Sequence, residues 1–238
     1  MIFTRLAHYA STWAKKGLPG YCAFCLSPES RASWCQECFM QLPWNDSGCF
    51  RCKEPLDAGC VASVQAVCGH CREQPPAFTA ATVELLFEGP IRALVHDFKF
   101  NASPRAGMLL VELMMANVPN ELGSALLPVP MHTVRARKRG FNQSYWLATQ
   151  LGRQVELPVI KAECLKQQPS QRTLNRNERM HNLMGAFRIN GPLPKHLTII
   201  DDVVTTGATG HALAREALRA GAQRVDIWAV ARTPLIHN

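Results

Sequence analysis

The segment LTIIDDVVTTGAT, residues 197–209, constrains the fold of this chain more than any other. Its short apolar start, LTII, predicts a buried strand of a parallel sheet. Two adjacent carboxylates, Asp201 and Asp202, follow the apolar run, and a hydroxyl-rich turn is centred on Gly207. A helical pattern over 208–220 and a second apolar run, VDIWAV, come next. This order predicts a strand–helix–strand crossover in an α/β sheet.

The turn and the two acids suit two different parts of one ligand. Backbone N–H groups and a helix N-terminus converge at the 205–209 loop, where they favour an anion such as phosphate. Asp201 and Asp202 would repel a phosphate, so we expect them to accept hydrogen bonds from sugar hydroxyls. An aspartate that only caps the helix is the alternative, but a cap requires a single acid. The sequence therefore predicts a sugar-phosphate site.

The cysteines predict metal sites at the other end of the chain. Nine of the ten lie within residues 22–71, and eight of them form C-x-x-C pairs: Cys22/Cys25, Cys35/Cys38, Cys49/Cys52 and Cys68/Cys71. One repeated spacing fits two tetrahedral Cys₄ zinc sites better than a disulfide framework. Sequential pairing closes the shortest loops and is favoured by loop entropy, while interleaved pairing stays open. We expect Cys60 and His70 to be bystanders.

The positive charge of the chain is concentrated in one region. The formal net charge is +8, and residues 131–182 carry ten Lys or Arg against three Asp or Glu. A one-sided basic field favours polyanions, among them pyrophosphate, phosphorylated sugars and nucleic-acid backbones.

The N-terminal residues do not read as a targeting signal. Residues 2–15 predict a short amphipathic helix, and Arg5 and His8 interrupt its apolar side. No run of apolar residues approaches the length of a membrane span. We therefore expect a cytoplasmic protein without a membrane span.

The chain between the cysteines and the acids predicts further sheet and helix. Gln74-Pro75-Pro76 predicts a linker, which places a domain boundary between residues 76 and 77. The expected elements are a strand within 80–87, helices from Pro90 and over 105–117, and a buried strand at 125–129.

Two basic segments are expected beside the sugar-phosphate site. The cations of 135–139 are predicted to lie in a loop that ends at Gly140, before a helix capped by Asn142. Because this loop follows a strand, it should lie on the same rim as the 205–209 loop and suit pyrophosphate, with a solvated basic loop as the alternative. Residues 171–187 are basic and predict a mobile lid, with a plain exposed loop as the alternative.

The segment at 197–209 closely resembles the 5-phosphoribosyl-1-pyrophosphate (PRPP) signature of type I phosphoribosyltransferases. The resemblance implies that Asp201 and Asp202 hold the ribose 2- and 3-hydroxyls. It also implies that the loop holds the 5-phosphate through Thr205, Thr206, Gly207, Ala208 and Thr209. The reaction of that family requires Mg²⁺, which is held largely by pyrophosphate and ribose oxygens.

A larger set of motifs resembles the ComF/GntX family, whose members are associated with natural competence, DNA uptake or the use of DNA as a nutrient. The motifs are the C-x-x-C pairs, IRALVHDFKF (91–100), PVP (128–130), RKRGFNQS (137–144), the 171–187 segment and IIDDVVTTGAT. They cover nearly the whole chain in the order of the family. The resemblance adds Lys99, Arg139, Gly140, Asn142 and Gln143 to the expected site.

Together these resemblances imply an α/β fold with a type I phosphoribosyltransferase-like parallel sheet flanked by helices over residues 77–238. An N-terminal helix and a double zinc-ribbon-like domain precede it at residues 1–76. Expected cofactors are Zn²⁺ at two structural sites and Mg²⁺ with PRPP.

Two classes of function are consistent with these features. The first is a Mg²⁺-dependent phosphoribosyltransferase that uses PRPP or a related sugar phosphate and a nucleobase or other amine-like acceptor. The second is a non-catalytic cytoplasmic factor that binds single-stranded DNA on the same basic face. Aromatic residues available for stacking on bases are Trp34, Trp44, Phe141, Tyr145 and Trp146. A zinc-stabilised scaffold for protein partners, such as those of the competence machinery, is a third alternative.

Overall fold

The computed structural model describes residues 20–28, 33–56, 66–166, 183 and 185–235. Contacts within the chain divide it into two compact units, Met1–Leu42 and Pro43–Asn238. The boundary expected after residue 76 stays a prediction about separable domains. By contacts, Cys49, Cys52, Cys68 and Cys71 belong to the same unit as the sheet.

Three expectations fall wholly or largely on residues outside the described part of the chain. They concern the N-terminal helix at 2–15, the cysteine at position 60, and the lid at 171–187, of which only 183 and 185–187 are described.

The unit Met1–Leu42 contains a short helix beside Cys35. This helix, α1, spans Gln36–Met40 and begins at Cys35, whose sulfur accepts a hydrogen bond from the Cys38 N–H at 3.4 Å. Trp34 stacks on Phe39 with ring centroids 5.6 Å apart.

The unit Pro43–Asn238 holds the remaining helices and all strands that the structure describes. The helices are α2 (Gly69–Glu73), α3 (Gly89–Phe100), α4 (Pro104–Ala116), α5 (Thr133–Arg139), α6 (Gln143–Val155) and α7 (Ala208–Arg219). The strands are β1 (Ala81–Thr82), β2 (Leu85–Leu86), β3 (Leu126–Pro128), β4 (Ala162–Cys164), β5 (Phe187–Ile189), β6 (His196–Val204) and β7 (Arg224–Arg232).

The main sheet is parallel and has the order β1-β7-β6-β3, with β2 also paired to β7. In its centre Ile199 of β6 lies opposite Ile227 of β7 and Leu127 of β3. Helix α7 connects β6 to β7, so the strand–helix–strand crossover is confirmed. Strands β4 and β5 form a separate antiparallel pair. The sheet with its flanking helices confirms the predicted fold class.

The centre of the sheet is buried on both faces. Leu197, Ile199 and Ile200 of β6 and Trp228 of β7 are almost completely inaccessible to solvent. Such continuous apolar strands are typical of parallel sheets covered by helices. Beside the sheet, Phe98 of α3 packs on Phe141 and Trp146 with centroid distances of 5.2 and 5.1 Å. Phe141, just before α6, and Trp146, within α6, therefore pack this helix against α3.

The predicted helices beginning near Pro90, over 105–117 and after Asn142 are confirmed. The strand expected within 80–87 is replaced by the two short strands β1 and β2. Strand β6 also runs beyond the expected apolar run and includes both acids.

The prediction of a basic loop at 135–139 is wrong, because these residues belong to helix α5. The His132 ring accepts a hydrogen bond from the Val134 N–H and caps the helix at its start. Gly140, at φ +85°, ends it in a left-handed conformation that few other residues adopt. Three cations occupy the last turn, where the helix dipole favours positive charge.

Candidate functional site

A cavity of about 710 Å³ lies at the carboxyl ends of β3 and β6. Seven of the residues expected in the site line it: Lys99, Arg139, Asn142, Gln143, Asp201, Asp202 and Thr209. Arg135 and Lys138 also line the cavity and add positive charge to it. Helices α3, α5 and α6 and strand β6 thus bring together residues more than 100 positions apart in sequence.

The two acids are held by partners from different helices. Asp201 accepts hydrogen bonds from the Ser144 hydroxyl at 3.0 Å and from the Asp202 N–H at 2.9 Å. Asp202 pairs with the Lys99 ammonium at 2.7 Å and accepts the Val203 N–H at 2.7 Å. These contacts orient both carboxylates at the floor of the cavity.

Burial makes Asp201 difficult to ionise. Loss of solvent, followed by repulsion from Asp202, raises the pKa of Asp201 to about 7, although Lys99 and the Ser144 hydroxyl act in the opposite direction. A carboxyl that titrates near neutral pH inside a cavity is more typical of a functional site than of a structural ion pair.

Arg139 and Gln143 form another part of the cavity wall. The Arg139 guanidinium donates to the Gln143 side-chain oxygen at 3.2 Å and lies 5.3 Å from the Phe100 ring centroid. Burial lowers the pKa of Arg139, and the nearby Asp202 charge opposes that effect. Gln143 is 1% exposed, and its amide nitrogen has no hydrogen-bond partner among the described residues. Because a buried donor is costly without an acceptor, this nitrogen indicates a place for a ligand oxygen.

Asn142 and Gly140 shape the turn that carries this wall. The Asn142 side chain accepts the Tyr145 N–H at 3.2 Å as the cap of α6 and donates to the Val129 carbonyl at 3.0 Å. Both polar ends of the amide are thus used inside the protein. Gly140 is absent from the cavity lining and acts through the end of α5.

The predicted phosphate loop joins β6 to α7. Gly207 precedes the helix at φ +75°, and the Thr206 hydroxyl oxygen accepts the N–H of Ala208, the first residue of α7. Thr205, Gly207 and Thr209 line a small cavity of about 20 Å³ that also touches Asp201. The loop and the acids therefore adjoin each other at the end of one strand, which agrees with the predicted arrangement.

The eight paired cysteines form two clusters, Cys22/Cys25/Cys35/Cys38 and Cys49/Cys52/Cys68/Cys71. Within each cluster all sulfur atoms lie within 4.8 Å of one another. The sulfur atoms of Cys25 and Cys35 are 3.7 Å apart, and those of Cys52 and Cys68 are 3.8 Å apart. Zinc–sulfur bonds of about 2.3 Å in a tetrahedron require about 3.8 Å between sulfurs. Both clusters fit zinc, and the cysteine pairing is sequential.

Several residues of the cavity are absent from the prediction. Ser144 lies within the RGFNQS motif, and its position directly after Gln143 could have marked it. Cys164, Lys166 and Phe187 reach the cavity on or beside the β4–β5 pair. No local pattern marks these three residues, because their place depends on the pairing of strands distant in sequence.

Sequence relatives identify the family. No family model matches the chain. It is 31% identical over 234 residues to the DNA utilization protein YhgH of Salmonella typhimurium. This match covers 91% of this chain and 98% of that protein. It is also 28% identical over 178 residues to competence protein F of Haemophilus influenzae. That match covers 69% of this chain and 78% of the relative. The chain belongs to the ComF/GntX family.

Among solved structures, this ComF/GntX protein is similar to a purine phosphoribosyltransferase from Pyrococcus horikoshii. The identity is 18%, the TM-score is 0.33, and the match covers 56% of this chain and 77% of the other.

In the part of this ComF/GntX protein that the structure describes, no helix has both the length and the apolar character needed to cross a membrane.

We expect the purified protein to contain two zinc ions per chain, one for each cysteine cluster. Cys25→Ser and Cys68→Ser should each remove about one ion, because a four-thiolate site loses most of its affinity with one ligand. Elemental analysis by mass spectrometry measures the content. Cys164→Ser, outside both clusters, serves as the control. A full zinc content in both cluster variants would contradict the assignment.

We expect Asp201→Asn to stabilise the protein at neutral pH. The folded pKa of about 7 exceeds the ordinary value of 3.8, so folding opposes ionisation of Asp201. The gain should therefore grow as pH rises from about 4 to about 7 and stay constant above that, with roughly 1.4 kcal/mol per pH unit as its upper slope. Thermal unfolding at a series of pH values measures it.

The control for this prediction is Asp97→Asn. The pKa of Asp97 is lowered, first by a hydrogen bond from Asn101, so removal of its charge should not raise the melting temperature at any pH. An Asp201→Asn gain that is equal at pH 4 and pH 8 would refute the role of ionisation.

Proposed function

We propose that this ComF/GntX protein binds PRPP or a related ribose phosphate together with Mg²⁺ in the cavity at the ends of β3 and β6, and that it acts in DNA uptake or utilisation. The observation that carries this proposal is the adjacency of Asp201 and Asp202 to the 205–209 loop, with a basic wall across the same cavity. The biological setting follows from the names of its relatives, which concern DNA utilization and competence.

The acids are the ribose-binding part of the proposed site. Hydroxyl groups of a sugar donate to carboxylates, and such charge-assisted hydrogen bonds are stronger than neutral ones. The 5-phosphate of the same sugar would lie on the 205–209 loop, where backbone N–H groups and the start of α7 favour an anion. One ribose phosphate can therefore satisfy both parts.

The basic wall is the proposed pyrophosphate-binding part. Lys138 and Arg139 at the end of α5, together with Arg135, supply three cations to the cavity. The Gln143 amide nitrogen, which lacks an acceptor in the described structure, provides a neutral donor beside them. Preorganised donors of this kind stabilise negative charge that develops on a leaving group.

The chemistry that this arrangement supports is transfer of the phosphoribosyl group. An acceptor nitrogen forms a bond to ribose C1 and loses a proton, while the C1–oxygen bond breaks and its electron pair leaves with pyrophosphate. Magnesium bound with the ligand would neutralise part of the leaving-group charge. The chain itself binds, orients and neutralises charge through the acids, the loop and the basic wall.

Isothermal titration with PRPP and Mg²⁺ tests the proposed site. We expect saturable binding to the wild type and a loss of at least about tenfold, or about 1.4 kcal/mol, in Asp201→Asn/Asp202→Asn, because amides bind hydroxyls more weakly than carboxylates. Glu112→Gln/Glu216→Gln removes two carboxylates outside the cavity and is the matched control. Absence of binding to the folded, zinc-loaded wild type would refute the proposal.

A second candidate function is binding of single-stranded DNA by a cytoplasmic, non-catalytic factor. Two exposed aromatic rings beside the cavity favour it, Phe100 at 62% and Tyr145 at 39% exposed. Each already lies close to a cation: Arg139 is 5.3 Å from the Phe100 ring centroid, and Lys161 is 5.6 Å from that of Tyr145. Exposed rings combined with cations are typical of surfaces that stack bases and contact phosphates.

Fluorescence anisotropy with a labelled oligonucleotide tests this second function. Phe100→Ala/Tyr145→Ala should weaken binding by about fivefold or more if each ring stacks a base. Affinity should also fall steeply with added salt, since phosphate contacts release counterions. Phe50→Ala, at another exposed phenylalanine outside the cavity, is the matched control. Equal affinities for all three proteins would exclude these rings as the DNA surface.

A further inference from the structure

A buried arginine joins the phosphate loop to the second cysteine cluster. Arg232, the last residue of β7, is completely buried. Its guanidinium donates to the carbonyl oxygen of Thr205 and forms an ion pair with the Glu54 carboxylate. Glu54 is also almost fully buried and accepts the Leu235 N–H at 2.7 Å. This ion pair is therefore shielded from solvent at both ends.

The position of Glu54 is set by the cysteine cluster. Glu54 follows Cys52 by two residues, and its carbonyl accepts the Cys49 N–H at 2.7 Å. The backbone just outside this turn is closed by an antiparallel bridge between Gly48 and Pro55. A metal bound by Cys49 and Cys52 thus fixes the turn from which the Glu54 side chain extends.

Polar contacts hold the same turn against the residues between β1 and β2. The Asn45 side chain donates to the carbonyls of Lys53 at 2.8 Å and Val83 at 3.2 Å. The Lys53 ammonium pairs with Glu84 at 2.9 Å. These contacts keep the turn next to the residues between β1 and β2, two strands that pair with β7.

The hydrogen bond from Arg232 orients one peptide group of the phosphate loop. A trans peptide is planar, with its C=O and N–H pointing in opposite directions. When Arg232 holds the Thr205 carbonyl, the N–H of Thr206 must point away from Arg232. A carbonyl oxygen that would repel a phosphate is thereby kept on the side of the arginine.

The arginine depends on Glu54 to remain in place. A buried guanidinium is costly unless a counter-charge and hydrogen-bond acceptors surround it. The Arg232 Nε atom has no partner among the described residues. The contacts that offset the cost of burying this guanidinium are therefore those of its two terminal nitrogens with Thr205 and Glu54. If the cysteine turn loosened and withdrew Glu54, Arg232 would have to move, and the Thr205 carbonyl would lose its donor.

We propose that Arg232 and Glu54 are positioning residues for the sugar-phosphate site, and that metal at Cys49/Cys52/Cys68/Cys71 holds this pair in register with the phosphate loop. This inference rests on the proposed function, since it assigns the loop to a phosphate. It predicts that the second metal site controls affinity for the 5-phosphate end of the ligand and leaves the pyrophosphate end unaffected.

Titration of the full-length, zinc-loaded protein with ribose 5-phosphate and, separately, with pyrophosphate tests the inference. Arg232→Lys and Glu54→Gln should each weaken ribose 5-phosphate binding by about tenfold, because a small misplacement of binding groups is costly and lysine lacks the fork of arginine. Pyrophosphate affinity should stay within about twofold of wild type, since its proposed donors lie on α5 and α6. A general loss of folding would lower both affinities together.

Arg224→Lys is the matched control, because it makes the same substitution in an ion-paired arginine at the other end of β7. It should leave both affinities unchanged. Cys68→Ser should lose about one zinc ion and show the same selective loss as Arg232→Lys.

The outcomes separate this inference from the proposed function. If wild type binds neither ribose 5-phosphate nor PRPP, the proposed function fails. If wild type binds ribose 5-phosphate and Glu54→Gln binds it equally well, the positioning role is refuted. Glu54→Gln retains the side-chain volume and provides this test even if Arg232→Lys does not fold.

Discussion

The crowding of two adjacent carboxylates at the end of a parallel strand, where Asp202 is buried and Asp201 half-buried, is the constraint on which the rest of the site depends. Asp201 and Asp202 repel each other in a region of low solvent access, so each requires its own compensation. Lys99 of α3 neutralises Asp202, and the Ser144 hydroxyl of α6 donates to Asp201. These two helices must therefore converge on β6, and the packing of Phe98 on Trp146 holds them together. Lys99 and Ser144, the partners of the two acids, both line the cavity.

The hydrogen bonds and the ion pair around the two acids do not fully offset the cost of their ionisation. This argues that the acids are kept for a ligand. The pKa of Asp201 stays raised, to about 7, despite its hydrogen bonds and the nearby Lys99. An acid in this state reduces folding stability above pH 7, so stability alone would favour asparagine. The buried Gln143 amide without an acceptor adds a second unfavourable group to the same cavity. A ligand with hydroxyl donors for the acids and anionic oxygens for the amide would satisfy both.

Local sequence patterns predicted the helices and strands well. They predicted few of the contacts between these elements. The β6–α7–β7 crossover, the Asn142 cap and the two cysteine clusters all follow from spacings within a few residues or from loop entropy. Helix α5 was expected as a loop because its cations hide any apolar periodicity, and its cap at His132 is not among the favoured residue types. The β4–β5 pair and the Glu54–Arg232 ion pair join residues 23 or more positions apart in sequence. Their assembly depends on the whole fold, which periodicity does not encode.

The second cysteine cluster is part of the apolar core. Its residues Cys49, Cys52 and Cys71 are buried and belong to the same apolar core as Phe78 and the sheet. Metal bound there would act as a cross-link within the core, and its binding free energy would contribute directly to the folding of that unit. If this metal raises the affinity of the phosphate loop for its ligand, thermodynamic linkage requires the ligand to raise the affinity for the metal by the same factor. The sugar phosphate would then protect the second zinc site from chelation, and the Glu54–Arg232 ion pair is a contact that joins the cysteine turn to the phosphate loop.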